Sequence, residues 1–317
     1  MRSGNRRSPS SRRVSKETGT APSRPRYWPV LAAPTTSFLL LFFVLPFYVV
    51  LAVTFGSVDP ILRQPVLAWN PSTWDPAIMS FTLSNIVHSD GLYEAAFVHT
   101  FVFVGAAAVL CLLIGYPVAY FLARRSGRHK TAFLALFFAP FWISYMLRLL
   151  AWRSLLADDG YVNRVLIRMH LIGEPYPWLQ GKPLTLVLGL VYGYVPFMIL
   201  PLFATLDRIP GSLLEAGRDL GLSPARTFWH VTLPQSRQAI LAGFVICILP
   251  MFGDYFTQQL LADRTNTRMV GNAVVDALTQ PIFVARGAAL ILVMLVVLIP
   301  PILYYLRSTR RATELAR

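Results

Sequence analysis

The stretch Glu215–Pro234, EAGRDLGLSPARTFWHVTLP, is a polar, charged segment set between two long apolar runs. Its local chemistry predicts two short helices. Ser212 is a good N-cap for a helix through Leu220, and Glu215 falls at N3, as in a capping box. Gly221 is a natural C′ residue for ending that helix, Ser223 caps the next turn, and Pro224 takes its first position. Ala216 and Gly217 offer a small-residue face for close approach by a partner, while Leu213, Leu214 and Leu220 are expected to anchor the unit.

The flanking sequence demands a membrane. Of 317 residues, 55% are hydrophobic and 14% charged, with a mean hydropathy of +0.52. A soluble domain of this size could not hide so much apolar surface. Six stretches of around twenty residues are long enough to cross a bilayer: Trp28–Phe55, Glu94–Leu122, Thr131–Trp152, Leu184–Leu206, Gln238–Leu261 and Val284–Leu306. The expected fold class is therefore all-α and integral to the membrane, with a six-span domain over residues 28–306 and a polar loop at 207–237.

Charge placement gives the orientation. Twenty of the 29 Lys and Arg residues fall in residues 1–27, the Leu122–Thr131 loop, the Asp207–Arg237 loop and residues 307–317. Cytoplasmic segments carry such an excess, so both termini and the 207–237 loop are expected there, in a multi-pass cell-membrane protein. The net charge of +14 could point to nucleic acid, but no aromatic-basic platform accompanies it. Residues 1–27, rich in Arg, Ser and Pro, read as a disordered basic cytoplasmic tail attracted to anionic membrane lipid; residues 307–317 read as a cytoplasmic C-terminal tail. Arg12 and Arg13 precede an apolar run too long for a signal-peptide core and without a clear cleavage site, so the first span is expected to stay uncleaved.

Catalytic and metal chemistry find no support in the residue pattern. Cys111 and Cys247 sit within apolar spans and read as packing residues. The five histidines have no ligand spacing, and Gly181-Lys182 is followed by Pro183, not by the Ser or Thr of a P-loop. No metal site, catalytic constellation or ATP site is expected in this chain.

The 215–234 stretch resembles the "EAA" loop of permease subunits in binding-protein-dependent ABC importers. Glu215, Ala216, Gly221, Leu233 and Pro234 match that pattern; Gly217 stands where Ala is commoner and Val231 where Ile is. Three further stretches, Gly115–Tyr120 (GYPVAY), Pro140–Ser144 (PFWIS) with Gly160–Asn163 (GYVN), and Pro250–Tyr255 (PMFGDY), are similar to the first permease subunit of spermidine/putrescine importers. The resemblance spans Trp28 to Leu306 and implies the type I importer permease fold. It implies docking of Glu215, Ala216, Gly217, Gly221, Leu233 and Pro234 on a separate dimer of ATPase subunits. ATP and Mg would be bound there and hydrolysis carried out there. It further implies a homologous second permease, an extracytoplasmic substrate-binding protein and alternating access. Permeases for other small solutes such as thiamine, iron or an anion share parts of these motifs. An ion-coupled secondary transporter is the alternative from a different class, and it leaves the loop unexplained.

For the path of a cationic solute, Asp254 is the notable residue. Pro250 and Gly253 are expected to break the fifth span near mid-membrane, and Asp254 lies about 24 Å along the helix from Gln238. An acid at such depth is costly and faces a partner or water. It reads either as a cation waypoint, with Tyr255, Trp142, Tyr145 and Tyr192 offering aromatic faces, or as a structural ion pair with Arg148.

Overall fold

The computed structural model describes residues 28–59, 64–88 and 91–315; the expected N-terminal tail at residues 1–27 lies outside the described residues. In chain order the helices are α1 (Trp28–Leu39), α2 (Leu45–Thr54), α3 (Ala77–Val87), α4 (Glu94–Arg124), α5 (Lys130–Phe138), α6 (Tyr145–Leu155), α7 (Tyr161–Arg168) and α8 (Pro183–Arg208). They continue with α9 (Gly211–Asp219), α10 (Pro224–Thr227), α11 (Leu233–Phe252), α12 (Phe256–Leu261), α13 (Val270–Leu278) and α14 (Val284–Leu315). The described β-structure is one antiparallel pair of two-residue strands, Ser57–Val58 with Pro65–Val66, in the register Ser57↔Val66.

Five helical stretches are long and apolar enough to cross a membrane, and a sixth appears if one bent pair counts as a single span. That pair corrects the expectation of an unbroken third span over Thr131–Trp152. Gly127–Trp142 and Tyr145–Leu155 meet at 84°. Pro140 sits in the short 3₁₀ turn Ala139–Trp142, and Ile143 and Ser144 then adopt extended-type backbone angles, so the helix cannot run through. The fifth span is also broken, though not at mid-span. Its main helix α11 runs 20 residues, about 30 Å, before Gly253. The break therefore lies toward the far end, because the helix begins at Leu233, five residues before the expected start. At the C-terminus, α14 continues to Leu315, past the expected span end at Leu306.

Two π-type turns share one cause. Leu40–Val44 precedes Leu45-Pro46, and Phe228–Thr232 precedes Leu233-Pro234. A proline has no N–H for the residue four back and crowds its carbonyl. The widened turn shifts the preceding bond to i→i−5: Leu45 N–H donates to Leu40 O and Leu233 N–H to Phe228 O.

Contacts divide the chain after Tyr48. In the N-terminal unit Phe38, Leu41 and Phe43 are exposed. In the unit from Val49 onward, the main core lies among α4, α8 and α11, with Leu186, Leu190, Met198, Ile199 and Leu202 of α8 at its centre. Cys111 and Cys247 are free and buried here, each thiol directed at an α8 carbonyl, Val191 O and Tyr194 O. The α6–α8 connection is pinned by buried Asn163. Its amide nitrogen donates to Ala157 O, Asp158 O and Tyr176 O, and its oxygen accepts from Tyr176 N–H at 3.1 Å and the Trp178 indole at 2.9 Å. Asn163→Leu strips these partners at one stroke, each orphaned group costing about 1–3 kcal/mol. The expected result is rapid proteolysis between Leu156 and Lys182 in the intact protein, with the rest of the chain resistant; cleavage at the wild-type rate would contradict it.

Candidate functional site

The 207–237 loop is built from its own sequence. Pro210, extended at φ −60° and ψ 138°, precedes α9, whose first residue is Gly211. The helix thus starts two residues earlier than expected: Ser212 lies inside it, no side chain caps it, and the Ser212/Glu215 capping box does not form. The exit follows the sequence closely. Gly221 has φ +81°, the left-handed geometry that glycine tolerates. Gly221 N–H donates to Arg218 O at 2.8 Å and Leu222 N–H to Gly217 O at 3.1 Å, the paired bonds of a Schellman ending. Ser223 Oγ then accepts from Arg226 N–H, with Pro224 in the first position of α10.

Gly217 faces inward. A Cβ there would meet Leu222, Thr227 and Val231 side chains at 3.6–3.7 Å, ordinary contact, so alanine would also fit. Its small size serves packing inside the loop and not, as expected, a partner face. Leu220 is 85% exposed and does not anchor the unit. Glu215, Ala216 and Trp229 are among the residues that the loop exposes, and so is Leu213, 40% accessible, which like Leu220 does not anchor it.

The anchor is aromatic, and it explains the GYPVAY stretch. Phe228 packs edge-on against Tyr116 and Tyr120 of α4, with ring centroids 5.5 and 6.0 Å apart. The Tyr116 hydroxyl shares a 2.8 Å hydrogen bond with buried Ser236 in the first turn of α11. Lys130 pairs with Asp207 at 2.8 Å, tying the preceding loop to the end of α8.

The second constellation surrounds Asp254, which is 5% exposed. Its Oδ1 accepts the Thr257 N–H at 3.0 Å. Its Oδ2 accepts from Thr257 Oγ1 at 2.6 Å, Tyr145 Oη at 2.8 Å and Tyr194 Oη at 3.1 Å. One carboxylate therefore joins α6, α8 and α12. Gly193 and Gly189 of α8 make this possible: a Cβ at Gly193 would lie 2.6 Å from the Tyr145 ring, and one at Gly189 would lie 2.7 Å from Thr257. The break is sealed from the far side by α13. Asn272 Nδ2 donates to Tyr255 O at 3.1 Å, and Gly271 sits against Gly253 O and Asp254 O.

The Arg148–Asp254 ion pair, one of the two readings of Asp254, does not form. Arg148 lies over Phe141, Tyr145 and Tyr192, 4.5, 5.5 and 5.7 Å from their ring centroids, and its Nε donates to Ile143 O at the elbow of the broken third span. Its Nη1 is buried without a hydrogen-bond partner among the described residues. The faces of these three rings and the Ile143 carbonyl hold the guanidinium instead. Of the aromatic candidates, Tyr145 reaches Asp254, while Tyr192 is engaged by Arg148, Tyr255 stacks on Phe256 at 4.1 Å, and Trp142 stands 85% exposed. Tyr194 escapes sequence reasoning, since an i+2 neighbour of Tyr192 on an apolar helix carries no signal of its own. Among the described residues no group of His, Cys, Asp and Glu could hold a metal ion.

Residues 112–312 match the family model described as "Binding-protein-dependent transport system inner membrane component". The spermidine/putrescine transport system permease protein PotB of Escherichia coli K12 is 31% identical over 233 residues, covering 73% of this chain and 84% of that protein. PotB of Haemophilus influenzae is 30% identical over 249 residues, covering 78% and 82%. Among solved structures, a bacterial alginate ABC transporter in complex with an alginate pentasaccharide-bound periplasmic protein aligns with a TM-score of 0.69 at 16% identity, over 91% of this chain and 96% of that one; this likeness bears on fold alone.

Asp254→Leu leaves three hydroxyl donors and an amide without their acceptor, at about 1–3 kcal/mol for each group that finds no substitute. The expected outcome is a clear drop in the melting temperature of the purified protein. Removing Arg148 as well does not restore it, because the two are not paired. Restoration in the double variant would refute this assignment.

Proposed function

Since the chain belongs to the binding-protein-dependent transport system inner membrane components, and so is an ABC importer permease subunit of the inner membrane, we propose that its cargo is a polyamine of the spermidine/putrescine class. The observation that carries this reading is the 31% identity to a spermidine/putrescine permease across 73% of the chain. The likeness to an alginate transporter, at 16% identity, does not favour an anionic cargo.

In this reading a homologous second permease pairs with the chain, and two ATPase subunits that bind ATP and Mg dock on the 207–237 loop. An extracytoplasmic binding protein delivers substrate. Glu215, Ala216 and Gly221, with Leu233 and Pro234 behind them, form the coupling element, and Gly217 keeps it compact. Both termini are cytoplasmic, with a basic tail over residues 1–27. Motion of the loop passes through Phe228 and Tyr116 into α4 and α11. Asp254 is enclosed at rest; parting of α6 from α8 opens its carboxylate, with Tyr145 and Tyr255, to an ammonium group, and Trp142 lies on the exposed side of the elbow.

Vesicles containing the complete importer are expected to take up labelled spermidine or putrescine in an ATP-dependent manner. Equal uptake without this chain would remove the polyamine assignment. Glu215→Ala and Gly221→Asp are expected to abolish substrate-stimulated ATP hydrolysis while the spans remain inserted, and wild-type stimulation in both would relocate the coupling element. Cysteines placed at Asp75 and Asp263 are expected to react with an impermeant reagent from outside intact cells, whereas one at Ser223 stays unmodified; labelling at Ser223 would invert the topology.

A further inference from the structure

An apolar groove of about 480 Å³ lies between α4 and α5, lined by Pro117, Val118, Phe121, Phe133, Leu136 and Phe137. Its walls are open to the surroundings: Phe121 is 52% and Leu136 71% accessible. Pro117 lies inside α4, where its ring takes the place of a hydrogen-bonded N–H. The groove runs from about 5 to 10 Å above the helix ends at Arg124 and Lys130. With the Arg124–Lys130 loop at headgroup level, that is the depth of the upper acyl chain.

The loop closing this end, Arg124–Lys130, is basic. Two of its cations are used within the protein: Lys130 pairs with Asp207, and Arg124 Nη2 donates to Ile209 O at 3.0 Å. Arg125 and Arg128 remain exposed, and among the described residues no carboxylate pairs with either. Arg128 Nε instead lies 3.2 Å from the His129 ring, a neighbour with no negative charge to offer. Gly127, at φ +50°, turns the chain between them.

We propose that this is a binding site for one anionic glycerophospholipid, its acyl chain in the α4–α5 groove and its phosphate on Arg125 and Arg128. The two halves are independent observations: an apolar trough between α4 and α5, and two arginines in the loop joining those helices that no carboxylate among the described residues neutralises. Either alone would be ordinary for a membrane protein. Together they match an amphiphile with one negative charge at the water end. The proposal does not depend on the cargo.

Native mass spectrometry of the complete importer, extracted from nanodiscs of phosphatidylcholine containing phosphatidylglycerol, tests it. The wild type is expected to retain a bound phosphatidylglycerol. The Arg125→Gln/Arg128→Gln variant should retain about thirtyfold less, since each of the two basic residues contributes on the order of one kcal/mol toward an anionic lipid. Leu136→Trp, which fills the groove and leaves the charges in place, should lose it as well, and Arg307→Gln/Arg310→Gln should not. Equal loss from the Arg307/Arg310 variant would reduce the effect to general surface charge and overturn the site. Retention in both the arginine and the Leu136 variants would do the same, as would cross-linking of a cysteine at Leu136 to the second permease, which would make the groove a subunit interface.

Discussion

The constraint on which the rest depends is that a helix broken inside hydrocarbon must find partners for every backbone group it frees. This chain breaks two spans and meets the demand with side chains. At the third-span elbow Arg148 bonds the Ile143 carbonyl and fills the space among three rings. At the fifth-span break Asp254 takes the Thr257 N–H, and Asn272 covers the Tyr255 carbonyl from α13. The breaks are thereby fixed in place, and the polar residues that look costly in the sequence serve to make them tolerable.

The two breaks are also joined to each other. Tyr145 opens α6 directly after the elbow, and its hydroxyl ends on Asp254 beside the second break. The α8 glycines at 189 and 193 let both broken segments approach one continuous helix. One continuous helix thus carries both interrupted segments, while α4, α8 and α11 keep a close-packed core around Met198 and Ile199.

Much of this was legible in the sequence where the determinants are local. Gly221, Ser223 and Pro224 each specify a backbone geometry through their own side chain or its absence, and the structure places them as that chemistry dictates. Spans followed from apolar length. What sequence could not supply was pairing across helices. Arg148 and Asp254 looked complementary by charge and depth, yet the aromatic rings of Phe141 and Tyr192 claimed the guanidinium, and Tyr194 claimed the carboxylate. The capping box at Ser212 failed for a nearer reason: Pro210 had already fixed the extended residue from which the helix starts.

The Schellman ending at Gly221 and the packing of Gly217 on Val231 connect residues fewer than twenty apart in the chain. Contacts so close in sequence close small loops, which form early and at low entropic cost. The loop's backbone is thus defined by its own neighbours, and Phe228 then seats it on α4 through Tyr116 and Tyr120. A partner meeting it later finds a surface already ordered, and the binding energy is spared the cost of ordering it.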